Sequence, residues 1–255
     1  VCFCLWALRA VGAGNLFDTD AARHALNGAF LHDLIRDGAL LHPIEYGKTY
    51  YGKLPELSMP YHPPLFPAME ALFFAIFGVG VTTARVLVAL TTGLSAFLFY
   101  RLVLLTHGSH LLALCSVSAF CFWSGSQFVA GDVMLEFPSM VFLCAALLCL
   151  RDMDRGLRWK HALAFAMFAA AAVWTKQHAV FLGLVPFAYY LFRLRLPLLF
   201  QKSLLAAAVL FGFCVIALAR LSAPFQGTGA DQVAPPGERL EIAVFNTLFY
   251  LNSFR

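Results

Sequence analysis

The feature that most constrains this chain is a series of long apolar runs separated by short polar loops. A helix needs about 20 mostly apolar residues to cross a bilayer. Candidate spans lie at 1–13, 83–104, 111–130, 138–150, 161–175, 178–192 and 203–219. Hydrophobic residues make up 61% of the chain and charged residues only 13%, whereas soluble domains are about half apolar and a quarter charged. The sequence therefore predicts an all-α polytopic membrane protein.

The two ends of the chain predict a fragment of a longer protein. The run 1–13 is too short for a complete span, and Arg255 follows another apolar patch. A cleaved signal peptide is the alternative for 1–13, but this run lacks a clear charged start and an A-x-A cleavage site. We therefore expect one transmembrane domain over 1–255, truncated at both ends. Its parts are a partial first span 1–13, an external loop 14–82, transmembrane spans within 83–219 and an external loop 220–255.

Two basic loops set the predicted orientation. RDMDRGLRWK at 151–160 carries four Lys or Arg residues, and FRLRLPLLFQK at 192–202 carries three. Short loops rich in Lys and Arg stay in the cytoplasm, and counting spans from them places 14–82 and 220–255 outside. The net charge of +4 is concentrated in such loops, and no basic patch interleaved with aromatic residues predicts binding to nucleic acid.

An eighth apolar segment, 63–80, either crosses the membrane or lies along it. If it crossed, the loop before it would lie on the opposite side from Asp132 and Glu136. If it lies along the membrane, the loop and these two acids share the outer side. We favour a juxtamembrane helix over 65–78, because Glu70 in its middle is easier to place at an interface than in the bilayer centre.

This topology brings ionisable side chains from four chain segments to the outer membrane boundary. They are Asp18, Asp20, Arg23 and His24; His62; Asp132 and Glu136; and Lys176 and His178. Charged groups are costly near hydrocarbon, so their presence there indicates a functional site.

Each group also has a purely structural interpretation. An amphipathic helix is predicted from about 20 to 37, and either Asp18 or Asp20 could cap it. Lys176 could be an interfacial anchor beside Trp174, and His62 a solvated turn residue.

The acids of GDVMLEFPS are separated by four residues. A helical turn would place Asp132 and Glu136 on one face. Their structural interpretation is one helix cap and one acid that extends toward water.

Five motifs occur in an order that resembles a known superfamily. They are DAARHA (20–25), YHPPLFPAMEALFFAIFG (61–78), TTARVLVAL (82–90), GDVMLEFPS (131–139) and WTKQHAV (174–180). Their order and sidedness resemble the polytopic GT-C glycosyltransferases, and most closely the branch with protein O-mannosyltransferases and the bacterial aminoarabinose transferases of lipid A. The resemblance implies a GT-C-type transmembrane helix bundle with juxtamembrane amphipathic helices in a long first external loop.

The resemblance also implies roles for individual residues. Asp20 corresponds to the catalytic acid of the first external loop, although Ala21 stands where this pattern has a second acid. Asp132 corresponds to the acid of the second external loop, with Glu136 as its companion. Lys176 matches a lysine near the donor phosphate, and His62 precedes the two prolines where a donor-phosphate contact is expected.

The chemistry of sugar transfer fits these residue types. Transfer from a polyprenyl-phosphate sugar needs a base for the acceptor hydroxyl, a role suited to Asp20. Cations stabilise the departing phosphate; Lys176 is the first candidate, and His62, His178 and Arg23 are the others. We therefore expect an inverting transferase on the outer face of a bacterial cytoplasmic membrane. Its partners are a polyprenyl-phosphate sugar donor, membrane lipids and a protein, lipid or glycan acceptor.

A metal site and two other functions are the alternatives to this hypothesis. Asp20, Asp132 and Glu136 offer oxygen ligands suited to Mg²⁺ or Mn²⁺, but the branch that this chain resembles generally works without metal, and we predict none. A transporter or lipid flippase is the alternative function. It would place ionisable or Gly/Pro-interrupted helices at mid-bilayer, whereas the spans here are nearly free of central charges. A structural membrane protein is the third hypothesis.

Overall fold

The computed structural model describes residues 16, 18–54, 56–59, 61–154 and 158–222, and within these ranges the chain is helical without strands. The predicted all-α fold class is confirmed. The predicted partial span 1–13 and nearly all of 220–255 lie outside the described residues. The helices are α1 (Thr19–Arg36), α2 (Pro43–Lys53), α3 (Leu65–Phe77), α4 (Val81–His107), α5 (His110–Phe122), α6 (Ser124–Ala130), α7 (Glu136–Asp154), α8 (Trp159–Thr175), α9 (Val185–Phe192) and α10 (Lys202–Ser222). Short 3₁₀ helices cover Ala39–Leu41, Gln177–Leu184 and Leu196–Phe200.

Two of the described helices, α4 and α10, are each long and apolar enough to cross a membrane. The pair α5 and α6 meets the same criterion only together, and its axis bends by 68° between the two helices. The bend occurs at Trp123, whose backbone is extended (φ −64°, ψ 133°) and interrupts the helical hydrogen bonds. The predicted span 111–130 is therefore a broken span or a re-entrant loop.

The remaining predicted spans correspond to shorter or irregular elements. The predicted spans 138–150 and 161–175 lie within α7 and α8, and α8 has 17 residues, a length of about 25 Å. The segment predicted as the span 178–192 is divided between a 3₁₀ helix and α9. Whether these three segments cross the bilayer stays a prediction.

The predicted amphipathic helix from about 20 to 37 is α1. The Asp18 side chain accepts a hydrogen bond from the backbone N–H of Asp20 at 2.7 Å and caps the helix. Phe30 and Leu34 are buried in a small cluster with Leu57 from the following loop. The capping role thus belongs to Asp18, and the Asp20 carboxylate is left for another use.

Helix α3 packs against α1 and has only 13 residues. Its length of about 20 Å is less than the hydrocarbon thickness of about 30 Å, as a juxtamembrane helix requires. Glu70 is 0% exposed and lies at the contact with Gly28, where an added Cβ would come within 2.5 Å of the Glu70 Cβ. The structure thus places Glu70 between two helices, and its predicted position at the membrane interface stays a prediction.

Two clusters of buried side chains position the loops that carry the predicted site residues. The larger one joins α7, α8 and α10, and alanines along α8 allow their backbones to approach closely. The smaller one joins α1, α3 and α4 to Val133 and Leu135 of the loop before α7. Because this loop packs against α1, the first and second acidic segments lie side by side.

Candidate functional site

The carboxylate of Asp132 fastens the start of α1 to the loop before α7. One carboxylate oxygen accepts the backbone N–H of Asp18 at 3.0 Å, and the other accepts the N–H of Val133 at 3.0 Å. The Arg85 guanidinium of α4 lies 3.5 Å from the carboxylate, and the side chains of Arg85 and Asp132 are only 2% and 1% exposed. The first and second acidic segments therefore meet at a buried carboxylate.

The Asp20 carboxylate, in the first turn of α1, is accessible. Its side chain is 50% exposed and accepts a hydrogen bond from Arg23 at 3.1 Å. Arg23 also donates to Glu56 at 3.0 Å. Because Arg23 is shared between two acids, it orients Asp20, and the second Asp20 oxygen has no partner among the described residues.

Lys176 follows the last residue of α8 and pairs with the first residue of α7. Its ammonium donates to the Glu136 carboxylate at 2.5 Å, and the two side chains are 33% and 37% exposed. The next residue, Gln177, donates to the carbonyl of Tyr61 at 2.6 Å. The segment after α8 is thereby joined to the turn that carries His62.

His62 lies against His24 of α1. The two ring centroids are 4.8 Å apart and the rings are nearly perpendicular. His24 is 5% exposed, and its Nδ1 has no hydrogen-bond partner among the described residues. A buried polar atom without a partner costs about 1–3 kcal/mol, so this nitrogen requires an explanation.

Both imidazoles are neutral at neutral pH. Burial lowers the pKa of His24 to about 3; protonation of His62 and the charges of Lys176 and Arg23 also lower it, and Asp20 opposes them. Burial also lowers the pKa of His62, against the opposing effect of Asp20 and together with Arg23 and Lys176. His62 therefore offers a hydrogen bond rather than a positive charge.

These interactions define one acid–base cluster made of six side chains. It comprises Asp20, Arg23, His24, His62, Glu136 and Lys176. Of the predicted site residues, two are not part of it. Asp132 is buried beneath α1, and His178 is exposed on a 3₁₀ helix without a hydrogen bond or ion pair to another described residue.

The expectation that Asp132 and Glu136 share a helical turn is wrong. Asp132 lies in the turn before α7, and α7 begins only at Glu136. The Val133 N–H is bound to the Asp132 carboxylate, and the loop then redirects the chain, so that the two acids have different partners.

The sequence interpretation did not identify Arg85 and Glu56 as site residues. Arg85 lies within TTARVLVAL, and an arginine inside an apolar run needs a buried partner, which is the sequence signal for its role. Glu56 gave no such signal, because its role depends on how its loop folds onto Arg23.

The three predicted catalytic acids do not form one metal centre. Asp20, Asp132 and Glu136 are each paired with a different base. Among the described residues, no group of three or more His, Cys, Asp or Glu side chains is placed to hold a metal ion.

Comparison with known proteins identifies the family. Residues 61–219 match the family described as dolichyl-phosphate-mannose-protein mannosyltransferase. Comparisons with curated proteins and with solved structures gave no match. The matched region is more than half of the chain, extends from the Tyr61 turn into α10, and includes His62, Glu136 and Lys176. The chain therefore belongs to the dolichyl-phosphate-mannose-protein mannosyltransferase family of membrane glycosyltransferases.

Proposed function

We propose that this membrane glycosyltransferase transfers a sugar from a polyprenyl-phosphate donor to an acceptor hydroxyl with inversion at the anomeric carbon. The observation that carries the proposal is the acid–base cluster, in which an accessible carboxylate and an accessible ammonium come from distant parts of the chain. Asp20 and Lys176 are 156 positions apart in the sequence (176 − 20), yet both act electrostatically on His24 and His62.

Asp20 is the base in this proposal. Its carboxylate accepts the proton of the acceptor hydroxyl while the hydroxyl oxygen attacks the anomeric carbon. The bond from this carbon to the phosphate oxygen breaks, and its electron pair leaves with the polyprenyl phosphate. Attack and departure occur on opposite faces of the sugar, so a single displacement inverts the anomeric centre.

Lys176 stabilises the charge that develops on the departing phosphate. An ammonium has three N–H donors, and Glu136 accepts from one of them. The others are available to phosphate oxygens. Glu136 then holds Lys176 in place, while the neutral His62 ring adds a hydrogen bond.

The buried Asp132 supports the site from beneath. Its contacts to Asp18 and Arg85 fix the first turn of α1, and that turn carries Asp20. In this proposal Asp132 contributes by holding Asp20 in place, without touching the substrate.

The donor sets the location of the reaction. Its lipid tail must remain in the bilayer while its sugar reaches the cluster at the membrane boundary. The two basic loops support an outward-facing cluster, and we propose the outer face of a bacterial cytoplasmic membrane. The family's description favours a protein acceptor. No contact among the described residues favours the transporter hypothesis.

The Asp20→Asn variant of the full-length protein tests the assignment of the base. We expect transfer from polyprenyl-phosphate mannose to fall at least about 100-fold, because general base catalysis contributes about 10² to 10⁴ in rate. Membrane insertion and melting temperature should stay unchanged. Asp37→Asn is the matched control, since Asp37 is 41% exposed at the other end of α1. Near-normal transfer by Asp20→Asn would show that Asp20 is not the base.

A further inference from the structure

His24 combines burial, an unpartnered polar atom and a position beside the proposed base. It follows Asp20 by four residues on α1, so the two side chains lie on one helix face about 6 Å apart along the axis. Its ring is 5% exposed, and its Nδ1 is buried without a partner among the described residues. The ring also responds to the charges of Asp20, Lys176 and Arg23, so it lies within the cluster.

Other buried polar atoms without a partner among the described residues differ from His24 in their position or in the partners of their side chains. The Nδ1 atom of His161 is also unpartnered, but His161 lies at the opposite end of α8 from Lys176. The two oxygens of Glu70 lie at the contact with Gly28. Within the cluster, Glu136 also has a buried oxygen without a described partner, Oε2, but its other oxygen already binds Lys176. No described residue binds the Nδ1 atom of His24.

The chemistry of a neutral imidazole selects its ligand. A neutral ring carries one N–H donor and one acceptor nitrogen, so Nδ1 either donates or accepts according to the tautomer. A hydroxyl group suits both tautomers, because it is itself a donor and an acceptor. A phosphate oxygen only accepts hydrogen bonds, so it suits only the tautomer in which Nδ1 donates. In the proposed function Lys176 already donates to the phosphate.

We propose that His24 binds a hydroxyl group of the transferred sugar through its ring nitrogen and thereby contributes to donor specificity. This proposal rests on the proposed function, since it takes Asp20 and Lys176 as the two ends of the donor site. The ring that covers His24 in the absence of donor belongs to His62, which lies in a turn 4.8 Å away. The proposal therefore requires the His62 side chain to move before the sugar can reach the buried His24 nitrogen.

Two lipids, one with the sugar and one without it, test the proposal when each variant is compared with the wild-type protein. Binding of polyprenyl phosphate and of polyprenyl-phosphate mannose is measured on the full-length protein in nanodiscs. His24→Phe keeps an aromatic ring of similar volume and removes the nitrogens. We expect His24→Phe to weaken binding of the mannosyl lipid about tenfold, or ~1.4 kcal/mol, and to leave binding of polyprenyl phosphate unchanged. His42→Phe, at an exposed position, should change neither.

Several outcomes overturn the proposal. If His24→Phe weakens the binding of both lipids equally, the role of His24 is structural. If it weakens the binding of neither lipid, the His24 ring does not touch the sugar. The Lys176→Ala variant distinguishes a failure of this proposal from a failure of the proposed function on which it rests. Lys176→Ala should weaken the binding of both lipids. If it weakens the binding of neither, Lys176 does not bind the donor phosphate, whatever the result for His24.

Discussion

At the scale of single residues, Glu70 shows what the sequence could and could not predict. An acid in the middle of the apolar segment Leu65–Phe77 indicates a special environment. Hydropathy alone could not distinguish a membrane interface from a contact between two helices. The contact depends on Gly28, whose missing side chain makes room for Glu70, and this pairing arises only from the packing of α1 on α3.

The burial of Glu70 predicts a pH dependence of stability. Burial raises the pKa of Glu70 well above its ordinary value, so the folded protein keeps a proton that the unfolded chain releases above about pH 4.3. The stability contributed by this group is complete below that pH and declines as the pH rises toward the folded-state pKa, by at most ~1.4 kcal/mol per pH unit. Glu70→Gln should remove this decline, measured as melting temperature between pH 5 and 8 in detergent.

The exposed Glu45 of α2 provides the control for Glu70. Glu45→Gln should leave the pH dependence of the melting temperature as it is in the wild-type protein. An equally steep decline in the Glu70→Gln protein would show that Glu70 is ionised in the fold.

At the scale of elements, hydropathy located the helices but not their irregularities. The predicted spans 83–104 and 203–219 fall inside α4 and α10, because long apolar runs have few alternatives to a helix in lipid. The bend at Trp123 was not predictable from composition, since a tryptophan fits an apolar run whether its backbone is helical or extended. In the structure its ring lies against Gly125, where an added Cβ would be 2.9 Å from the indole.

Asp132 joins α1, α4 and the loop before α7. Substitutions of Asp132 can therefore distinguish a structural role from a catalytic role. Replacing Asp132 by alanine removes the acceptor for two backbone N–H groups and a partner of the buried Arg85. Loss of one member of a buried ion pair costs about 3–5 kcal/mol. We expect Asp132→Ala to lower the melting temperature and to increase cleavage of α1 by protease.

Asp132→Asn makes the distinction sharper, because it keeps the shape of the side chain. If Asp132 acts only by holding α1, transfer activity and stability should fall together across Asp132→Asn and Asp132→Ala. A loss of activity in Asp132→Asn at unchanged melting temperature would instead support the catalytic role predicted from the sequence.

At the scale of the whole molecule, two sequence features predict which segments meet. They are the order of the motifs and the count of spans from the two basic loops. The Asp20, His62 and Lys176 segments do lie together. The pairings within the site were not predictable. Glu136 pairs with Lys176 and Asp132 with Arg85 because of how α4, α7 and α8 pack, and spacing along the chain carries no information on that packing.

The predicted sidedness of the cluster can be measured directly. Single cysteines at positions 20, 178 and 160 of the full-length protein, in a background without the seven cysteines of this segment, are labelled with a membrane-impermeant maleimide in intact cells. All three native side chains reach the surface of the fold. Since the basic loop 151–160 is predicted to be cytoplasmic, positions 20 and 178 should react in intact cells, and position 160 only after permeabilisation.

Labelling of 20 and 178 from opposite sides would make a shared site of Asp20 and Lys176 impossible, because Lys176 is only two residues from position 178. Reaction of all three only after permeabilisation would keep the cluster intact but place it on the cytoplasmic face.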